Sequence, residues 1–158
     1  MELHTCCFFG HRKINETEEL KLKLVETIEK LIVENSVATY LFGSKSRFNS
    51  LCLELVTEIK EKYPHIKRIY VRAEYPDINE QYTNYLLDGF EDTYYPEHIH
   101  KSGKAAYIER NYEMTDKSQY CIVYCDEQNA PTTRKSGTKI AFDYAVKKEK
   151  QIINIILL

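Results

Sequence analysis

Two apolar runs, "TCCFFG" at 5–10 and "VATYLFG" at 37–43, each stop at a glycine, and the stretch between them repeats with a different period. From Glu18 to Glu34 the apolar residues Leu20, Leu24, Ile28, Leu31 and Ile32 recur at helical spacing with Glu and Lys between them. This is the pattern of a helix with one buried stripe. The flanking runs show no apolar–polar alternation, so both of their faces are buried. Strands of that kind joined through a helix belong to a parallel sheet, because a parallel neighbour is reached only by a crossover connection.

The unit recurs along the chain. Leu51, Leu55 and Ile59 mark a second helix, Tyr63-Pro64 ends it, and "IKRIYVRA" supplies a third strand. The acidic, tyrosine-rich segment from Pro76 to His100 holds a short helix in "NEQYTNYLLDGF" and a short strand in "EDTYYP". Lys104 to Lys117 reads as a helix, "QYCIVYCDE" as a strand, Gly137 to Lys150 as the last helix and "QIINIIL" as the last strand. The expected class is α/β, a Rossmann-like three-layer sandwich with a mainly parallel sheet and helices on both faces. With 158 residues and 43% hydrophobic content, one domain over 1–158 has enough core without metal or disulfide staples.

A formal net charge of -2 gives no general basic field. Any anion site must be local, and the balance argues against nucleic acid as a partner. Cys6, Cys7, Cys52, Cys121 and Cys125 are odd in number and fall mostly in apolar runs, as expected of reduced, buried thiols in a cytoplasmic protein. Their spacing completes neither a redox pair nor a zinc site, so neither metal nor cofactor is expected. "MELHTCCFFGHR" lacks the basic start and long apolar stretch of a targeting segment, and "QIINIILL" is too short to cross a bilayer. Both ends read as core strands, and no membrane association is expected.

In an open parallel sheet, ligands bind beyond the carboxyl ends of the strands. Four loops reach that edge: "GHRK" from Gly10, "GSKSRFN" from Gly43, "EYP" from Glu74, and "TRKSGT" after the Cys121 strand. Gly10 and Gly43 let backbone amides approach a ligand closely. Arg12, Lys45, Arg47, Arg134 and Lys135 supply cationic donors. Ser44, Ser46, Ser136 and Thr138 supply hydroxyls at helix starts, where unpaired N–H groups favour an anion, although a plain helix cap explains such residues equally well. His11 would orient a sugar or base, whereas His4, His65, His98 and His100 read as surface residues. Arg110 either reaches a phosphate or pairs with Glu113 or Asp116, and Tyr107, Tyr112 and Met114 read as packing residues.

In order, "CCFFGHR", a glycine-led turn with "RFN", "EKYPHIK", "RNYEMTDKS" and "SGTKIAFDYAVKKEKQIINI" resemble the YpsA-like branch of the SLOG superfamily. That superfamily also contains the LOG cytokinin-activating phosphoribohydrolases and the Rossmann domain of DprA. The resemblance implies a strand-end cleft for a nucleotide or nucleotide-derived ligand. It implies ligand contacts for Gly10, His11 and Arg12, for Gly43, Phe48 and Asn49, for Arg110 and Asn111, and for Ser136, Gly137 and Thr138. Some members serve in bacterial and phage immunity as sensors of nucleotide signals. This chain departs from the pattern at Arg47 and Asn49, and Ala141 stands where the phosphoribohydrolases carry a glutamate.

Alanine can neither activate water nor stabilise a glycosyl cation. The first reading is therefore a nucleotide-binding protein with no chemistry or very slow chemistry. The alternatives are an N-glycosidic hydrolase with Glu74 as its acid, and a nucleic-acid-handling accessory domain. The tyrosines Tyr82, Tyr85, Tyr94 and Tyr95 would suit a homodimer interface.

Overall fold

The computed structural model describes residues 2–126 and 136–158. Six parallel strands lie in the order β4-β3-β2-β1-β5-β6. They are β1 (His4–Gly10), β2 (Val37–Phe42), β3 (Lys67–Val71), β4 (Asp92–Tyr94), β5 (Tyr120–Tyr124) and β6 (Gln151–Asn154). The helices between them are α1 (Glu18–Asn35), α2 (Arg47–Lys62), α3 (Glu80–Leu87), α4 (Lys104–Lys117) and α5 (Gly137–Lys147). The fold is the Rossmann-like α/β sandwich expected from the alternation.

The period of two in the strands divides the core. Cys6 and Phe8 of β1, with Tyr120, Ile122 and Tyr124 of β5, face α1 and α2, where Leu24, Ile28, Leu51 and Val56 meet them. Cys7 and Phe9, with Cys121 and Val123, face α4 and α5 and pack on Met114, Ala141 and Ala145. Cys7 lies in register with Cys121 on the neighbouring strand, and their sulfurs are 3.5 Å apart. All five cysteines are buried and none forms a disulfide among the described residues, and desolvation holds the Cys6, Cys7 and Cys52 thiols well above the usual range.

Local signals set the helix ends. Thr17 caps α1 by accepting from the Leu20 amide at 3.0 Å, and Ser36 closes it in the left-handed region at φ 55°. Asn79 caps α3 in the same manner, accepting from Tyr82 at 2.7 Å, and α3 packs against β4.

The expected last helix and last strand each end early. α5 stops at Lys147, and the final run is a short edge strand followed by a 3-10 turn at Ile155–Leu157. An edge strand has one open side, so the chain turns inward to bury Ile155 completely, while Leu157 stays 79% exposed.

One buried group is left without compensation. The Tyr40 ring is fully buried, stacked on Phe8, and its hydroxyl has no hydrogen-bond partner among the described residues. Removing an unsatisfied buried hydroxyl recovers its desolvation cost, about 1 kcal/mol. Tyr40→Phe is therefore expected to raise the melting temperature by roughly 2–5 °C in a calorimetric scan. A lower value would mean that the hydroxyl has a partner.

Candidate functional site

The chain leaves β1 in both directions across the sheet: β2 lies on one side and β5 on the other. Loops diverge from the carboxyl ends at that reversal, and there the structure opens a cleft of about 1210 Å³. The β1 loop contributes Gly10, His11 and Arg12, and the β2 loop contributes Gly43, Ser44, Lys45 and Ser46. Ser136, Gly137 and Thr138 line it from the start of α5, and Arg110 and Asn111 from α4. The structure thus brings most of the sequence-derived residues to one place.

Three of them do not line the cleft. Arg47 is held by Glu16, with Nη2 to Oε1 at 2.7 Å, and also approaches Glu54. The Arg47 guanidinium pulls the Glu16 carboxyl below its usual range through that hydrogen bond. Phe48 is fully buried beside Tyr124 and under Gly10. Asn49, 2% exposed, donates to the Phe8 carbonyl at 2.9 Å and accepts from the Gly43 amide at 3.4 Å, which ties two strand ends to α2. Arg134 and Lys135 lie outside the described residues.

The two strand-end glycines have a packing role. A Cβ on Gly10 would fall 2.3 Å from the Phe48 ring, and one on Gly43 would fall 2.6 Å from Arg110 Cδ. Gly43 thereby gives Arg110 its place. That guanidinium is 5% exposed, donates through Nη1 to the Gly43 carbonyl at 2.6 Å and through Nε to Asn111 Oδ1 at 3.0 Å. Nη2 has no protein partner, and no carboxylate pairs with Arg110 among the described residues. Burial pulls its pKa down, and the nearby Tyr70, Tyr107 and Glu74 oppose that pull. Arginine nevertheless stays protonated, so the cleft wall holds a desolvated positive charge with no carboxylate bonded to it among the described residues.

Other donors converge on the same space. Ser44 and Ser46 shape the entry to α2: Ser44 Oγ accepts from the Ser46 amide at 2.9 Å, and Ser46 Oγ accepts from Asn49 at 3.2 Å. Ser136 is both a helix cap, accepting from the Lys139 amide at 3.0 Å, and part of the cleft lip. Among the described residues nothing lies within 4 Å of where a Gly137 Cβ would be. His11 accepts the Asp126 amide proton at Nε2, 2.9 Å away, which places its own proton on Nδ1.

Sequence reasoning missed the far wall, formed by Tyr70, Arg72, Tyr75, Tyr82, Lys104 and Tyr107. Tyr107 had been read as packing, yet it is 39% exposed, with the Arg110 guanidinium 5.4 Å from its ring centre and its hydroxyl donating to Glu74 Oε1. That hydrogen bond raises the Tyr107 pKa. The signal available in the sequence was Arg72, a cation directly after an apolar strand. The expected interface tyrosines divide: Tyr82 and Tyr85 stack on α3, whereas Tyr94 and Tyr95 line a second cavity of about 580 Å³ between β4 and α4. Ala141, 1% exposed, packs into the core beneath α5 and does not line the cleft. No helix among the described residues is long and apolar enough to cross a membrane.

No family model and no curated protein matches the sequence. Among solved structures the chain is similar to DNA processing protein A from Helicobacter pylori, whose structure is described as showing a single-stranded DNA binding mode. The TM-score is 0.59 at 15% identity, over 94% of this chain and 63% of that one. The chain spans less than two thirds of that protein's length, and the likeness is one of fold.

This finding corrects the expectation that nucleic acid is disfavoured as a partner. A net charge of -2 averages over the whole surface. The cleft itself gathers Arg12, Lys45, Arg72, Lys104 and Arg110.

The glycines separate packing from access. Gly10→Ala is expected to lose about 1–3 kcal/mol in a denaturant titration, because the added methyl overpacks Phe48. Gly137→Ala, whose added methyl meets none of the described residues, is expected to leave the midpoint unchanged or slightly higher.

Proposed function

We propose that this chain binds a phosphate-bearing nucleotide in the strand-end cleft and performs no chemistry on it. The observation that carries the reading is Arg110: a side chain 95% buried, fixed by neutral acceptors and facing the cleft with no carboxylate bonded to it among the described residues. An incoming phosphate supplies the missing counter-charge and takes charge-assisted hydrogen bonds, the stronger kind. The start of α5 and the β2 loop add backbone donors of the type that favour anions. Tyr70, Tyr75, Tyr82 and Tyr107 offer aromatic surface for a base. The order of motifs shared with the YpsA-like branch of the SLOG superfamily supports the same ligand class, including a sensor role. The buried position of Ala141 supports binding over glycosidic cleavage.

A second reading, single-stranded nucleic-acid binding, is favoured by the fold likeness to DNA processing protein A. It uses the same cations and tyrosines, with bases stacked along a groove.

Titration calorimetry with AMP and adenosine tests the first reading. Arg12→Ala and Arg110→Gln are each expected to weaken AMP by about tenfold or more while leaving adenosine unchanged, and Arg47→Ala, outside the cleft, to alter neither. Equal losses for AMP and adenosine would remove the phosphate assignment. An oligothymidylate of about twenty nucleotides that binds far more tightly than AMP, with affinity falling steeply in salt, would establish the second reading instead.

A further inference from the structure

Glu74 is the one carboxylate among the described residues that line a cleft otherwise charged by Arg12, Lys45, Arg72, Lys104 and Arg110. Its position is closely held. Arg72, 8% exposed, donates through Nε to the Tyr75 carbonyl at 3.2 Å, through Nη2 to the Pro76 carbonyl at 3.4 Å and through Nη1 to Thr93 Oγ1 at 3.1 Å. This clamp keeps Tyr75 in the left-handed region at φ 59°, a conformation costly for a residue with a side chain. The strained turn presents Glu74 next to Tyr107. One carboxylate oxygen takes the Tyr107 hydroxyl, and the other has no protein donor among the described residues.

An ionised carboxylate accepts hydrogen bonds and donates none. It repels phosphate, so within a phosphate-binding cleft it must face another part of the ligand. Strand spacing indicates which part. The β1 and β2 loops hold the anion donors, and Glu74 follows β3, one strand beyond β2, roughly 5 Å further along the sheet for each strand crossed. That is the separation from a phosphate to the sugar or base of the same nucleotide.

We propose that Glu74 is the specificity-determining residue of the cleft, its carboxylate accepting two adjacent hydrogen-bond donors of the ligand. The ligand class is then a phosphorylated compound carrying such a pair. In a nucleotide two groups supply it: the vicinal hydroxyls of ribose, and the N1–H and N2–H edge of guanine. Arg72 is the positioning residue that aims the loop. The inference rests on the nucleotide-binding reading above and adds what that reading leaves open.

The test is calorimetry on the full chain with AMP, dAMP, GMP and IMP, comparing the native protein with Glu74→Gln. Glu74 is exposed, so the substitution does not threaten the fold. The native protein is expected to prefer AMP over dAMP if ribose supplies the donors, or GMP over IMP if guanine does, by about tenfold. Glu74→Gln is expected to abolish that preference while dAMP and IMP bind at least as well as before. Nucleotide binding with neither preference, or a preference that survives in Glu74→Gln, overturns the role of Glu74 and leaves the binding reading intact. Absence of binding by all four nucleotides overturns both.

Discussion

The contact between the Arg110 guanidinium and the end of β2 organises the upper part of this molecule. It requires Gly43, since any Cβ there would occupy the volume of the arginine side chain. It requires Met114, one helical turn further along α4, to fill the space beneath, where it too approaches Gly43. The charge is fixed by neutral acceptors, with no carboxylate bonded to it among the described residues. A fold selected only for stability would place an apolar residue at such a point, because packed hydrophobic groups generally serve at least as well as a buried charge. The arrangement makes sense when the counter-charge arrives from outside.

The sheet was legible because its signal is local and repeated. Apolar runs such as "TCCFFG" and "VATYLFG" and the stripe of α1 carry their own periodicities, and the short helix and strand expected in "NEQYTNYLLDGF" and "EDTYYP" are α3 and β4. Membership of the cleft was legible where a loop follows directly from a strand end, as with Arg12, Lys45 and Glu74, and at the start of the last helix, as with Ser136 and Thr138. Arg47, Phe48 and Asn49 were misplaced because the outcome depends on where α2 begins. With Ser46 as its cap, Phe48 and Asn49 turn inward and Arg47 turns toward Glu16. The aromatic wall was missed for the opposite reason. Tyr70, Tyr82 and Tyr107 come from β3, α3 and α4, and no spacing in the sequence reveals that three separate elements meet.

The nucleic-acid question shows how a whole-chain average misleads. Much of the acidity sits on outward faces, where Glu16 and Glu54 meet Arg47, Glu29 meets Lys62, and Glu91 meets Arg68. Exposed pairs of this kind contribute little to stability and screen one another. Among the described residues the cations of the cleft have no such ion-pair partners, so the local charge there is positive while the net charge is negative.

The sheet order also bears on how the chain assembles during synthesis. After β1 is made its first neighbour β2 follows within about one helix, but the strand on its other side, β5, is 114 residues away at Cys7 and Cys121. Until that segment leaves the ribosome, β1 has one open edge. A nascent chain in this condition exposes a template for wrong pairing. Closure of that edge is a long-range event and therefore slow. The same step brings β5 and α5 against the loops of β1 and β2, so the central strand loses its open edge in the event that completes the cleft.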